Sequence, residues 1–265
     1  MTGTITNATR RLLCLAAVTA ALLSSQGTEV ITARYRTSAA PATTFTAVQH
    51  LNTGTCNGGA PAICTLTVST MCASTPCIGI IYASNNGNGS QYITSVSGGG
   101  GTWISNGLCP STDNHGDQYQ GEWVDMAYNL SLTSGSSVAI TINWSGNYGN
   151  GNFGYAEYTY TGSAPTFGGC VTLGTTSSGP YVSPSVTTTG SSSLIVTIEA
   201  DNGRFISGNT VSGTGWTSPT TPITLNSGYQ PGDDALNVAA GTYQVTYYYD
   251  GDFPAYWGGS ALWFK

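Results

Sequence analysis

Eight residues close to the C-terminal end, Asp250-Gly251-Asp252-Phe253-Pro254-Ala255-Tyr256-Trp257, set two carboxylates beside three aromatic rings. Aromatic rings on a loop can stack on the apolar face of a sugar, while nearby carboxylates accept hydrogen bonds from its hydroxyls. Asp250, Asp252, Phe253, Tyr256 and Trp257 are therefore the candidate ligand-binding residues, on a loop expected to join the last two strands. The competing use is structural, with Trp257 plugging one end of a β-sandwich and the acids solvating a turn.

A second polar cluster is Asp113-Asn114-His115-Gly116-Asp117, followed by Tyr119, Glu122 and Trp123. Oxygen ligands spaced around a glycine suit Ca²⁺, which accepts six to eight oxygens in loose geometry. Asp113 and Asp117 are the candidate ligands. Against this, His115 stands where another oxygen would be useful and no ligand-rich continuation follows, so a solvated loop competes. No other cofactor is implied.

Glycoside hydrolysis usually needs two carboxylates about 5 to 10 Å apart across a cleft. Glu122, Glu157 and Glu199 all fall on predicted strands. By parity Glu199 shares a face with Ile195 and Thr197, opposite Leu194, Val196 and Ile198, and is expected to point to solvent. Glu157 shares a face with Tyr155 and Thr159, which leaves its direction open. Nothing in the spacing pairs any two of these acids. There is no G-x-S-x-G elbow and no Walker or dinucleotide fingerprint in a βα context. His50 and His115 are the only histidines, and His50, at a strand end, reads as structural. The chain reads as a non-enzyme.

The elements that must carry these groups are strands. Val138, Ile140, Ile142 and Trp144 alternate with Ala139, Thr141 and Asn143; Leu194, Val196 and Ile198 alternate with Ile195, Thr197 and Glu199. Tyr243, Val245, Tyr247 and Tyr249 alternate in the same way, and rougher runs recur from Phe45 to Lys265. Period-2 runs punctuated by Asn/Gly turns predict an all-β chain, a two-sheet antiparallel β-sandwich of jelly-roll-like type, stabilised by disulfides. No linker divides the body; the Ser/Thr-rich stretch Thr175–Ser193 comes nearest to one. The expected organisation is an export signal over residues 1–27, a flexible leader over 28–44 and one β-sandwich domain over 45–265.

The export signal rests on Arg10 and Arg11 before an apolar run from Leu12 to Leu23, with small residues after it. Cys14 leaves with that segment. Six cysteines remain: Cys56, Cys64, Cys72, Cys77, Cys109 and Cys170. An even count in an exported chain argues for disulfides, and six allow 15 pairings. Spacing favours Cys72 with Cys77 and Cys56 with Cys64, which leaves Cys109 with Cys170. A zinc site is disfavoured, since no C-x-x-C pair exists.

Charge narrows the partners. Charged residues make up 7% of the 265, against about 25% in ordinary soluble domains. After Ala40 the only cationic residues are Arg204 and Lys265, against eleven acids. Such a body does not neutralise a run of phosphates, so nucleic acid and anionic membrane are poor partners. A surface of Ser, Thr, Asn, Gln, Gly and Tyr suits neutral glycans, a cell-surface component, or other copies of itself.

Two stretches carry a resemblance. They are Ile93-Thr94-Ser95-Val96-Ser97 with Gly98 to Gly101, Thr102 and Trp103, and Tyr155-Ala156-Glu157-Tyr158-Thr159-Tyr160-Thr161-Gly162 running through Gly215-Trp216 and Gly241-Thr242-Tyr243 to Ala261-Leu262-Trp263-Phe264-Lys265. Over about Phe45 to Lys265 the chain resembles a loosely defined group of secreted bacterial β-sandwich domains, found alone or beside carbohydrate-binding modules on cell-surface proteins. The resemblance implies an exported jelly-roll-like sandwich and supplies no reaction. The cysteines and the segment Asn106–Gln120 depart from the group's pattern. The expected function is a secreted, non-enzymatic surface protein, extracellular or on the cell surface, that binds carbohydrate or another surface component. The first alternative is the subunit of an extracellular filament or coat joined by strand addition through the leader. The second is a glycoside hydrolase of jelly-roll type.

Overall fold

The computed structural model describes residues 41–51, 55–56, 62–74, 76–86, 92–105, 122–145, 152–177, 181–183, 185–201, 232–247 and 255–265. Among them every regular element is a strand. In chain order these are β1 (Thr44–Leu51), β2 (Thr55–Cys56), β3 (Ile63–Met71), β4 (Cys77–Asn86), β5 (Ile93–Ser97), β6 (Glu122–Asn129), β7 (Gly135–Trp144) and β8 (Asn152–Thr161). The second half adds β9 (Phe167–Ser177), β10 (Tyr181–Val182), β11 (Val186–Thr188), β12 (Ser193–Asp201), β13 (Gly232–Val238), β14 (Gly241–Tyr243), β15 (Thr246–Tyr247) and β16 (Ala255–Phe264).

These strands make three four-stranded antiparallel sheets. The central sheet has the order β1-β8-β4-β6. A front sheet, β2-β3-β7-β5, covers one of its faces, and a back sheet, β13-β12-β16-β9, covers the other. The short pairs β10–β15 and β11–β14 lie outside these sheets, and Val186 and Tyr243 of β11–β14 close over Ile195, Ala235 and Ala261 of the back sheet. The fold is all-β and layered, as the alternation requires, but it is one sheet deeper than the two expected.

The reason lies in which faces are buried. In β3 and β7 the predicted alternation holds, with Cys64, Leu66, Val68, Ile140, Ile142 and Trp144 facing inward and Thr65, Thr67 and Ala139 outward. The central strand β4 has no outward face. Ile81 and Ala83 join the front core, while Ile78, Ile80 and Tyr82 join the back core. A strand covered on both sides reads as a continuous apolar run, and Ile78-Gly79-Ile80-Ile81-Tyr82-Ala83 is such a run. The same holds for β12: Leu194, Val196 and Ile198 face the central sheet, while Ile195 faces β11–β14 and Thr197, the next of that parity, is 1% exposed. The face expected to place Glu199 in solvent is therefore a covered one; the Glu199 side chain lies outside the described residues.

Tyr128 on β6 stacks on Phe167 at 4.9 Å and meets Phe264 edge-on at 5.2 Å, joining the central and back sheets. The four glycines of the Ser97-Gly98-Gly99-Gly100-Gly101-Thr102 stretch all have positive φ, from 62° to 99°. No other residue type adopts four such conformations in a row at low cost. A Cβ on Gly98 would also collide with the Ala139 carbonyl. Trp103 Nε1 donates to Gly98 O, Asn129 Nδ2 to Gly100 O, and the Thr133 amide to Gly99 O, which satisfies these three carbonyls of the turn.

Residues Ala40–Lys265 form one compact unit. Thr43 and Thr44, the last two residues of the expected leader, already belong to it: Thr43 Oγ1 donates to Ser163 O, and Thr44 pairs with Thr161. The rest of the export signal and leader, residues 1–40, lies outside the described residues. The stretch Thr175–Ser193 is not a linker, since it contributes to β9, β10 and β11. Cys72 and Cys77 form the expected disulfide, with Cα atoms 5.9 Å apart. Cys64 and Cys170 are also disulfide-bonded, and β2 sets Cys56 directly across from Cys64. Cys109 lies outside the described residues.

Candidate functional site

The titratable groups of the described body gather on the two faces of the central sheet. On the front face, Glu157 of β8 is fully buried and accepts three hydrogen bonds. Tyr155 Oη donates at 2.7 Å and Gln49 Nε2 at 2.9 Å to Oε2, and the Cys72 amide donates at 3.0 Å to Oε1. Gln49 Nε2 also reaches Thr70 O at 2.7 Å, so this carboxylate ties β1 and the Cys72–Cys77 turn to the end of the front sheet. Burial raises the Tyr155 phenol, and its hydrogen bond to Glu157 raises it further.

Asp125 of β6 also points to the front sheet. Its Oδ2 accepts the Ile93 amide at 2.8 Å and its Oδ1 accepts the Met126 amide at 2.8 Å. Two amide donors do not replace the hydration of an ionised carboxylate, and burial pushes Asp125 up to about 7 despite them.

On the back face, Asp234 of β13 accepts Tyr158 Oη at 2.9 Å and lies 3.1 Å from His50 Nε2. His50 is 9% exposed and Asp234 4%. Burial and the Asp234 charge raise both Tyr158 and Tyr82, whose Oη donates to Leu51 O. Close by, Asn237 completes the link between β1 and β13: Phe45 N donates to its Oδ1 at 2.7 Å, and its Nδ2 donates to Phe45 O at 2.9 Å. Asn237 does so at a φ of 56°, a conformation asparagine tolerates better than most residues.

Chemically these clusters are structural fasteners. Asp125, Glu157, Asp233 and Asp234 are the carboxylates whose side chains are described, and none is more than 4% exposed. Glu157 and Asp125 stand on different strands of the central sheet and are held by separate donors. Sequence reasoning left Glu157 undirected and gave His50 a structural role without a partner. The tyrosines two residues before Glu157 and one after it were the available signal. Asp234 had none, because its partners Tyr158 and His50 come from strands 76 or more residues away in the chain.

The residues predicted to bind ligand fare differently. Tyr256 and Trp257 are not on a loop: their backbone opens β16, across from Thr176 and Thr175 of β9, and Trp257 also pairs with Asp201 of β12. Asp250, Asp252 and Phe253, and the calcium candidates Asp113 and Asp117, lie outside the described residues. Among the described residues no group of three or more His, Cys, Asp or Glu is placed to hold a metal.

Two surface features remain. A groove of about 330 Å³ is lined by the hydroxyl-bearing Thr43, Ser163, Thr166, Ser191 and Ser192 together with Lys265, and has no aromatic ring in its walls. The second feature is larger. The central sheet is covered on both faces, the back sheet is covered by the central sheet and by β11–β14, and the front sheet, among the described residues, is covered on its inner face only. Its outer face presents Ile63, Thr65, Thr67, Ala139, Thr141, Asn143, Ser95 and Ser97. Strands β3, β5 and β7 contain no Asp, Glu, Lys, Arg or His. No known protein family, no curated protein and no solved structure matches this chain.

Proposed function

We propose that this is a secreted, non-enzymatic surface protein that binds a neutral carbohydrate. The observation that carries the reading is the location of charge: every carboxylate with a described side chain is inside, and the outer face of strands β3, β5 and β7 has hydroxyl, amide and aliphatic groups and no charged one. A neutral hydrogen-bonding surface meets a polyhydroxylated partner without burying an unpaired charge. The Cys72–Cys77 disulfide fits the oxidising compartment of an exported protein. Acids held by several donors inside a sandwich support binding over hydrolysis, because a glycosidase acid must reach the scissile bond.

The test is retention of the protein on a panel of neutral polysaccharides, soluble and insoluble, at physiological salt. Retention on at least one, little changed by raising the salt, is expected. Retention on none of them would remove the reading. A Tyr256→Ala, Trp257→Ala double variant then asks whether the start of β16 contributes.

A further inference from the structure

We propose that the outer face of the front sheet is the carbohydrate site, and that it takes a linear neutral polysaccharide lying across the strands. This rests on the reading above and assigns its location. The antiparallel register sets Thr65 of β3 beside Thr141 of β7, and Thr141 beside Ser97 of β5. Three hydroxyl-bearing residues thus form one row at the strand spacing of about 4.8 Å. A second row has Ile63, 42% exposed, beside Asn143 and Asn143 beside Ser95, with Asn143 Nδ2 donating to Ser95 Oγ at 2.8 Å. Thr67 continues the face about 6.7 Å further along β3.

The side chains in the first row differ from the other polar groups described above. Among the described residues the side chains of Thr65, Thr141 and Ser97 make no hydrogen bond, which leaves their hydroxyls to a partner, whereas Thr43, Thr133, Thr166 and Thr188 donate theirs to backbone carbonyls. Each hydroxyl both donates and accepts, and so does each hydroxyl of a sugar. The threonine methyls add small apolar patches between them. Absence of charge selects the partner: an anionic polymer would find no cation on these strands, and its own charges would be desolvated without compensation. The row runs across strands, so the sheet's twist rotates successive side chains only modestly and a flexible chain can follow it.

The experiment compares the wild-type protein with the triple variant Thr65→Val, Thr141→Val, Ser97→Ala by affinity electrophoresis in gels holding β-glucan, xylan or mannan. Valine matches threonine in shape and favours strands, so folding is retained, as circular dichroism and denaturant unfolding will verify. Wild type is expected to be retarded by at least one polymer. The triple variant should lose at least about tenfold in affinity, and Thr65→Val alone about threefold. The Tyr256→Ala, Trp257→Ala variant should keep most of its retardation. Full retardation of the folded triple variant, with loss in the Tyr256/Trp257 variant, overturns this location and leaves the carbohydrate reading standing. No retardation of wild type by any neutral polymer overturns both. Stronger retardation by polygalacturonate than by every neutral polymer overturns the neutral-partner assignment.

Discussion

Glu157 and Thr141 are both polar residues on strands of adjoining sheets, and they stand in opposite situations. Glu157 lies between the central and front sheets with three donors fixed on it. Thr141 lies one layer out, on the open face, with its hydroxyl free. The interior seam uses its strongest hydrogen-bonding groups to lock β1, β8 and the Cys72–Cys77 turn together. The open face holds its weaker groups available in a fixed row. Ionised groups buried without partners are costly, so a chain this poor in cations must neutralise its inner acids with amides, phenols and one histidine. The difference teaches that the described carboxylates hold the layers together, while the hydroxyls of the open face are left out of the fold's own hydrogen bonding.

The comparison breaks most sharply at Glu157. Glu157→Ala strands the Cys72 amide, Gln49 Nε2 and Tyr155 Oη together, and a loss of about 4 to 5 kcal/mol in unfolding free energy is expected from denaturant titration. A loss below about 1 kcal/mol would show that the seam is not held by this acid.

Asp125 sharpens it through pH. Its folded-state value is about 7, raised from an ordinary 3.8. A carboxyl raised on folding adds stability that is complete below about pH 3.8 and is lost as pH climbs through about 7. Between pH 4 and pH 7.5 this one group is expected to cost up to about 4 kcal/mol. Asp125→Asn should remove that slope, so the difference between the two proteins in thermal midpoint should vary with pH across this window. A constant difference would contradict the assignment.

Asn237 gives a smaller effect. Asn237→Ala removes both hydrogen bonds to Phe45 and places alanine at positive φ, and about 1 to 2 kcal/mol is expected. Asn237→Gly relieves the backbone while still losing the bonds, so it should recover part of that amount. Smallest of all, Thr65→Val with Thr141→Val should move stability by no more than about 0.5 kcal/mol, since neither hydroxyl is used within the fold. A large destabilisation there would make the open face structural.

The alternation in β3 and β7 was legible because one face of the front sheet is wet; a polar partner at every second position marks the strand and its direction. The local glycine turn at Gly98 to Gly101 and the short Cys72–Cys77 bridge were legible for a related reason, since both depend on residues close in the chain. The third sheet was obscured because β4 and β12 are covered on both sides: β4 is a continuous apolar run, and the alternation of β12 with Thr197 and Glu199 reads as a wet face although that face is covered. Tyr256 and Trp257 were expected on a loop joining the last two strands; in the fold they belong to β16, which continues through Gly258 and Gly259 paired with Gly174 and Leu173 of β9.

By itself the sequence determined the β character, the scarcity of charge and the cysteines available for cross-links, since these follow from composition and from period-2 spacing. Only the tertiary structure decided that the body is three sheets deep, that Glu157, Asp125 and Asp234 are sealed between them, and that Thr65, Thr141 and Ser97 share one row. Such facts depend on registers between strands dozens of residues apart. A register is set by the packing of whole faces, which no local stretch of chain contains.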